Sequence, residues 1–540
     1  MILCGPSRAQ QSSANTEISV TTPEVSSSAA QPTWNSEMVA AGRAFHERRF
    51  SDAERLYADA LQKAESFGAS DPRLATSLNN LAELYQQDGK YNQAEPLYKR
   101  SIEVWQQFRG DQNPEIAQVE SNLGELYRQT GRYSLAERLL IQALDTRERS
   151  LNADDPLIAS SAGLLGALYR QEGKFAEAET QLQRSLDIAQ KAFGPEGASL
   201  ATPLNNLAEL DRAMNRYRDA EELYKRAIAV QEKSLGPEHP DVAGTLNDLA
   251  ELYRNQGKLA DAEPLYKRSL AIREKAYPPG DVRVTIAVNN LGLLRESQGL
   301  YTDAELYFKR VLEAREKALG PNHPDLATPL NNLAELQARQ GHFSEAERLY
   351  KRTLEIRTRV YGPDHPDVAA SLVNLAQLKQ ARKKYGEAID LQQQALAIRE
   401  KAFGEDHPSV ASSLNNLGEL CFAQKNYVDA AKFYQRALAI REKVLGPEHR
   451  AVAQSLHDLG DLYRVEGRYS DAEPLYQRAL AIREKILGED HPDVAALLES
   501  YALLLRASGR PTKAEDLEIR AKQIRANVRN PNPKIGSPYT

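Results

Sequence analysis

The sequence predicts an all-α protein in which about twelve helix hairpins stack into a solenoid, and three observations carry that prediction. A helix-breaking position recurs every 42 residues without slippage, at Gly89, Gly131, Gly173, Asn215, Gly257, Gly299, Gly341, Lys383, Lys425, Gly467 and Gly509. Around each break a fixed set of apolar residues returns. A Leu precedes it by five positions (Leu84, Leu126, onward to Leu504), and an aromatic usually follows by two (Tyr91, Tyr133, Phe175, Tyr469). Small residues keep the same register. Ala stands five after every break, from Ala94 to Ala514, and Gly or Ala stands seven before, from Ala82 and Gly124 to Gly460 and Ala502. Small residues in register mark helix crossings where backbones approach closely.

Each unit reads as a helix of about 15 residues, a short turn, a second helix, and a loop such as LGPEHPD at 235–241. Gly closing one helix and Pro opening the next follow the capping asymmetry of helix ends. Pro96, Pro264 and Pro474, with Pro203 and Pro329, fall near first turns, where few hydrogen bonds are lost. Three places depart from the pattern: the first pair, around GRAFHERRFSDAERLY, is a residue short; AYPPGDVR at 276–283 replaces the usual loop; and KQARKKYGEAIDLQQ at 379–393 loses its turn Gly and several core residues. In the last pair Glu518 and Lys522 stand where an earlier pair has Tyr476 and Leu480, which suits a terminal cap with a polar outer face. Residues 37–527 are therefore expected to form the repeat array, with disordered tails at 1–36 and 528–540. The first tail, rich in Ser, Thr, Ala and Gln, cannot bury enough surface to offset the entropy of ordering. Its start, MILCGPSRAQQ, resembles the end of a secretory signal peptide, which leaves the compartment open between the cytoplasm and a secreted or periplasmic location.

The order Leu, Gly or Ala, Tyr, turn Gly, aromatic, Ala resembles the tetratricopeptide repeat (TPR), whose helix pairs stack into a right-handed superhelix. The longer second helix ending in LAIREK (270–275, 396–401, 438–443, 480–485) and the following LG..HP.VA loop are similar to the repeats of kinesin light chains. The heptad coiled coil by which a kinesin light chain joins its motor has no counterpart in the N-terminal segment, so a motor role is not implied.

Adjacent Asn or Asp residues interrupt the Leu-rich first helices, as in SLNNLAELY at 77–85 and TLNDLAELY at 245–253. Asn is a poor interior helix residue, because its amide competes for backbone groups. On a helical wheel Leu78, Leu81, Leu84 and Tyr85 face the partner helices, while Asn79, Asn80 and Glu83 fall on the opposite arc. The resemblance implies that this arc lines a concave surface, where Asn residues of kinesin light chains hold the backbone of a cargo peptide. The implied site is Asn79, Asn80, Asn122, Asn205, Asn206, Asn289, Asn290, Asn331, Asn332, Asn374, Asn415 and Asn416. An amide can bond an N–H and a C=O of an extended peptide at once. The alternative is that these amides bond between neighbouring helices and fix their stacking. Glu and Arg three apart on the same arc (Glu125 and Arg128, Glu209 and Arg212, Glu251 and Arg254) read as intrahelical pairs or as a charged track.

Little else points to chemistry. A net charge of −6 over 540 residues does not imply nucleic acid, and no run approaches a membrane span. Two cysteines cannot build a disulfide framework. Six histidines, His239, His323, His365, His407, His449 and His491, sit in inter-repeat loops, each alone and before a helix, which suggests capping rather than zinc binding. No catalytic residue, metal site or cofactor is expected. The expected role is a scaffold binding a protein or peptide partner in a concave groove; a self-assembling structural protein and an adaptor subunit of a larger complex are the alternatives. The oligomeric state stays open.

Overall fold

A computed structural model describes residues 31–110 and 114–529. Among them the chain forms 24 α-helices in twelve antiparallel pairs, joined by short turns within a pair and loops between pairs. Pair 1 is Gln31–His46 with Phe50–Glu65, pair 2 is Pro72–Gln87 with Tyr91–Arg109, and pair 3 is Pro114–Gln129 with Tyr133–Ser150. Pairs 4 to 6 are Pro156–Gln171 with Phe175–Phe193, Ala201–Ala213 with Tyr217–Leu235, and Pro240–Asn255 with Leu259–Ala276. Pairs 7 to 9 are Val282–Ser297 with Tyr301–Leu319, Ala327–Arg339 with Phe343–Tyr361, and Pro366–Ala381 with Tyr385–Phe403. Pairs 10 to 12 are Pro408–Ala423 with Tyr427–Leu445, Arg450–Val465 with Tyr469–Leu487, and Pro492–Ala507 with Pro511–Arg529. The chain divides into two compact units, residues 1–212 with 216–371, and residues 213–215 with 372–540.

The turn inside each pair needs a left-handed residue. Gly89 has φ 72°, and Asn215, Lys383 and Lys425 take φ of 60°, 59° and 63° at equivalent places, so the turn survives the loss of Gly at the usual steric cost. Lys90 N–H donates to Tyr85 C=O at 2.7 Å and Gly89 N–H to Gln86 C=O at 3.2 Å, closing the helix as a Schellman motif. In pairs 5 and 8 the first helix is preceded by a 3₁₀ turn, Ala198–Leu200 and Pro324–Leu326, because Pro203 and Pro329 cannot donate in the opening turn. Pro96, Pro264 and Pro474 lie inside their helices, deeper than a first turn, and each gives up one backbone bond.

The small residues do what their register implies. A Cβ on Gly166 would stand 2.6 Å from Leu182 Cγ, and one on Gly292 2.6 Å from Phe308, so the second helix sits directly on the glycine. The LAIREK arginine ties one pair to the next. Arg441 is 5% exposed, and its Nη1 donates to Ala451 C=O at 3.1 Å and to Ser455 Oγ at 2.6 Å; Arg399 does the same to Ser409 C=O and Ser413 Oγ. A buried guanidinium satisfied by carbonyl and hydroxyl acceptors holds the angle between successive pairs.

At the start of the array the structure differs from the sequence expectation. The first helix begins at Gln31, inside the stretch expected to be a tail, and Trp34 is buried with its Nε1–H donating to Ser77 Oγ of pair 2 at 3.0 Å. The signal-like segment and the remaining tail residues, 1–30 and 530–540, lie outside the described residues.

Within the first unit, pairs far apart in sequence also touch. Tyr91 stacks on Tyr361 with centroids 5.6 Å apart, Tyr361 stacks on His365 at 4.4 Å, and His365 Nε2 lies 2.9 Å from Gln129 C=O. One pair earlier, His323 Nε2 approaches Asp88 at 4.0 Å, and Gly89 faces the Pro324 ring. The intra-pair turns of pairs 2 and 3 thus rest on the loops that open pairs 8 and 9.

Candidate functional site

In each unit the first helices of neighbouring pairs touch: pair 2 with 3, 3 with 4, 6 with 7 and 7 with 8 in one, and pair 10 with 11 and 11 with 12 in the other. Within each unit they form a layer whose polar arc carries the Asn residues.

Most of those amides already have partners, and the partner is the next pair. Asn122 Nδ2 donates to Asn79 Oδ1 at 3.0 Å, Asn290 to Asn247 at 2.7 Å, and Asn332 to Asn289 at 2.8 Å. The rule is that the second Asn of one pair donates to the first Asn of the pair before it. Where the second residue is Asp458, an acceptor only, the direction reverses and Asn415 Nδ2 donates to it at 2.9 Å. Asn205 turns to Thr245 Oγ1 at 2.9 Å, and Asn79 also donates to Asn80 at 3.2 Å. At the first position Asn289 and Asn415 are each 3% exposed. Asn331 Oδ1 is buried without a partner. Asn206, Asn374 and Asn416 are half-buried and make no side-chain hydrogen bond among the described residues. The twelve residues therefore divide: Asn79, Asn122, Asn205, Asn289, Asn290, Asn332 and Asn415 bond to a neighbouring pair, Asn80 bonds within its own helix, Asn331 has its oxygen buried without a partner, and Asn206, Asn374 and Asn416 keep their amides available.

The charged groups on the same arc cross between pairs as well as along helices. Arg128 meets Glu125 at 2.6 Å within its helix, whereas Arg170 reaches Glu209 at 3.7 Å and Arg212 spans Glu209 at 2.8 Å and Glu251 at 3.6 Å. Burial by itself would raise Glu209, but Arg212, Arg170 and the Tyr224 hydroxyl, 2.5 Å away, hold its carboxyl well below the usual range. Where the cation is missing the opposite happens. Glu83 has Gln86 three residues on, and burial pushes it up to about 7. Sequence reasoning missed pair 10, where Phe422 stands in the register that Arg occupies in pairs 3 to 6 and 11. Burial, with Asp458 close by, pushes Glu419 up to about 7 there. The signal was present as an aromatic residue at the Arg position, which pairs 2, 7, 8 and 9 also leave without Arg.

The loop histidines cap helices. His239, His323, His365, His407, His449 and His491 each accept, through Nδ1, the backbone N–H two residues on, at 3.0–3.3 Å. Among the described residues no group of three or more His, Cys, Asp or Glu could hold a metal ion, and no helix is long and apolar enough to cross a membrane.

Comparison with curated proteins finds no match. Among solved structures, BtubC (BKLC) from P. vanneervenii is similar at 25% identity over 45% of this chain and 95% of its own, with a TM-score of 0.36. A Podosopora anserina protein described as a kinesin light chain with nearly identical TPR-like repeats is 28% identical over 38% of this chain and 99% of its own, with a TM-score of 0.34. The family model "Tetratricopeptide repeat" matches ten overlapping windows that run from 39–107 to 453–527. These windows take in nearly the whole helical array, and their repeats generally mediate protein–protein interactions in scaffolds that are typically not enzymes. With twelve helix pairs and this match along its length, the chain belongs to the tetratricopeptide repeat family.

Proposed function

We propose that the protein is an interaction scaffold that binds an extended peptide along its first-helix layer. The observation that carries this reading is the division among the amides. Asn206, Asn374 and Asn416 sit in the same register as the stacking residues, half-buried and with both donor and acceptor unspent. An amide in that state can bond a peptide N–H and C=O whatever side chains the peptide bears. The ladder exemplified by Asn332 to Asn289 supports a second role, in which the bonded Asn residues fix helix stacking within their unit. The two roles fall on different residues and are compatible.

A random 12-residue peptide library panned on the protein supplies the probe. Replacing Asn374 and Asn416 with Ala removes hydrogen bonds worth about 0.5–1.5 kcal/mol each, so selected peptides should bind about five- to a hundredfold more weakly. Helical content and unfolding midpoint should not change. Unaltered affinity would refute the backbone-binding reading.

A further inference from the structure

We propose that a cavity between pairs 10 and 11 seats a basic side chain, lysine or arginine, of the peptide bound on the first-helix layer; the proposal rests on the peptide-binding reading above. The cavity measures about 190 Å³ and is lined by Glu419, Phe422, Tyr434, Asp458 and Asp461. That is below the roughly 300 Å³ at which pockets begin to enclose small-molecule ligands, and it suits one side chain.

Its charge is unbalanced. Asp461 is paired, with Arg464 at 3.2 Å and His457 at 3.3 Å. Among the described residues Glu419 and Asp458 accept hydrogen bonds only from neutral donors: Asn415 Nδ2 reaches both, at 3.1 and 2.9 Å, and Gln454 Nε2 reaches Asp458 at 2.7 Å. Arg441, a buried cation whose charge both acids feel, is hydrogen-bonded instead to Asn415 Oδ1, Ala451 C=O and Ser455 Oγ. Amide donors orient a carboxylate without cancelling its charge. Burial accordingly raises both acids, Glu419 up to about 7.

A second, independent observation lies in the wall. Tyr434 is 3% exposed, and its hydroxyl, within electrostatic reach of Asp458, Glu419 and Asp461, makes no hydrogen bond among the described residues. Tyrosines in the same register of other pairs are committed: Tyr98 donates to Gln86 at 2.8 Å, Tyr224 to Glu209 at 2.5 Å and Tyr476 to Asp461 at 2.6 Å. The Tyr434 side chain is buried while its hydroxyl is not among the sealed-off polar atoms, so at this cavity wall an entering group can reach it. A cation entering between Glu419 and Asp458 would leave each carboxylate ionised, give the Tyr434 oxygen a donor, and lie against the faces of Phe422 and Tyr434.

The register explains why the cation must come from elsewhere. In pairs 3 and 5 the groove carboxylate is met by an arginine of its own helix, Arg128 or Arg212, three residues on. Pair 10 replaces that arginine with Phe422.

The test pans the random 12-residue library on the wild-type protein and measures each selected peptide, and its analogue with the basic residue changed to norleucine, against three proteins: wild type, Glu419→Gln/Asp458→Asn, and Phe422→Arg. The first variant removes the charge at constant shape; the second supplies the arginine from within. The proposal expects selected peptides to share a Lys or Arg whose replacement weakens binding about tenfold or more on wild type and less than about twofold on either variant. Peptides that bind without needing that residue, or need it equally on all three proteins, overturn the cavity assignment and leave the peptide-binding reading standing. Failure to select any peptide overturns both.

Discussion

If the Asn pairs hold successive first helices together, Asn289 and Asn332 are coupled energetically and a double-mutant cycle must reveal it. The two amides lie 2.8 Å apart, with Asn289 3% and Asn332 9% exposed. Changing either one to Leu, of similar size, leaves the other buried without its partner, at a cost of about 1–3 kcal/mol. Changing both removes donor and acceptor together, and an apolar contact of the same shape is nearly neutral. The double variant should therefore be more stable than the sum of the singles predicts, by about 2–6 kcal/mol, at or above the upper end of the range found for residues in contact. Urea unfolding followed by circular dichroism, with hydrogen exchange on the first helices of pairs 7 and 8 to localise the effect, measures all four corners of the cycle. Coupling below about 0.5 kcal/mol, the additivity limit for independent sites, would refute the stacking role.

Trp34→Ala empties the core between pairs 1 and 2 and removes the indole donor to Ser77 Oγ, which keeps its own bond to Arg73 C=O, so it should cost about 3–5 kcal/mol and raise hydrogen exchange across residues 31–87; exchange confined to residues 31–46 would show that pair 1 stands apart from pair 2. Gly89→Ala and Gly257→Ala face the same left-handed strain, at φ 72° and 76°, but only at Gly89 would the new Cβ meet another element, 2.7 Å from Pro324 Cγ. Gly89→Ala should therefore be the more destabilising and should speed exchange in the loop at 320–326, and equal costs for the two would argue against the long-range contact. Burial pushes His449 down to about 4, below its ordinary 6.5. The unfolded chain takes up the proton first as pH falls, so the stability this residue contributes is complete above about pH 6.5 and is lost toward pH 4, by at most about 3 kcal/mol. His449→Asn keeps a cap acceptor without the titration and should flatten the pH–stability curve in that window relative to wild type; an identical slope would place the titration elsewhere.

The repeat length, the pairing of helices, the left-handed turn at Gly89 and its equivalents, the glycine crossings and the histidine caps were all legible in the sequence. Each is decided within one hairpin or by the residue that opens the next, so local spacing carries the information. The wheel also placed Asn79 and Asn80 on the correct arc. It could not say what they touch, because an amide on that arc faces both the layer's surface and the adjacent first helix. Which one it bonds depends on how far successive pairs rotate: Asn332 lands on Asn289, while Asn206 makes no side-chain hydrogen bond among the described residues. Small rotations also accumulate over six pairs to bring His365 against Gln129, 236 residues earlier, a contact no local pattern encodes. Burial of Trp34 was hidden for a related reason: a polar flanking composition outweighed one aromatic whose partner, Ser77, lies in the next pair. Sequence alone determined the unit and the order of its parts, because those rest on contacts between near neighbours; the tertiary structure alone decided which polar groups are spent on one another and which are left to meet a partner, because that depends on the angle at which each unit is set upon the last.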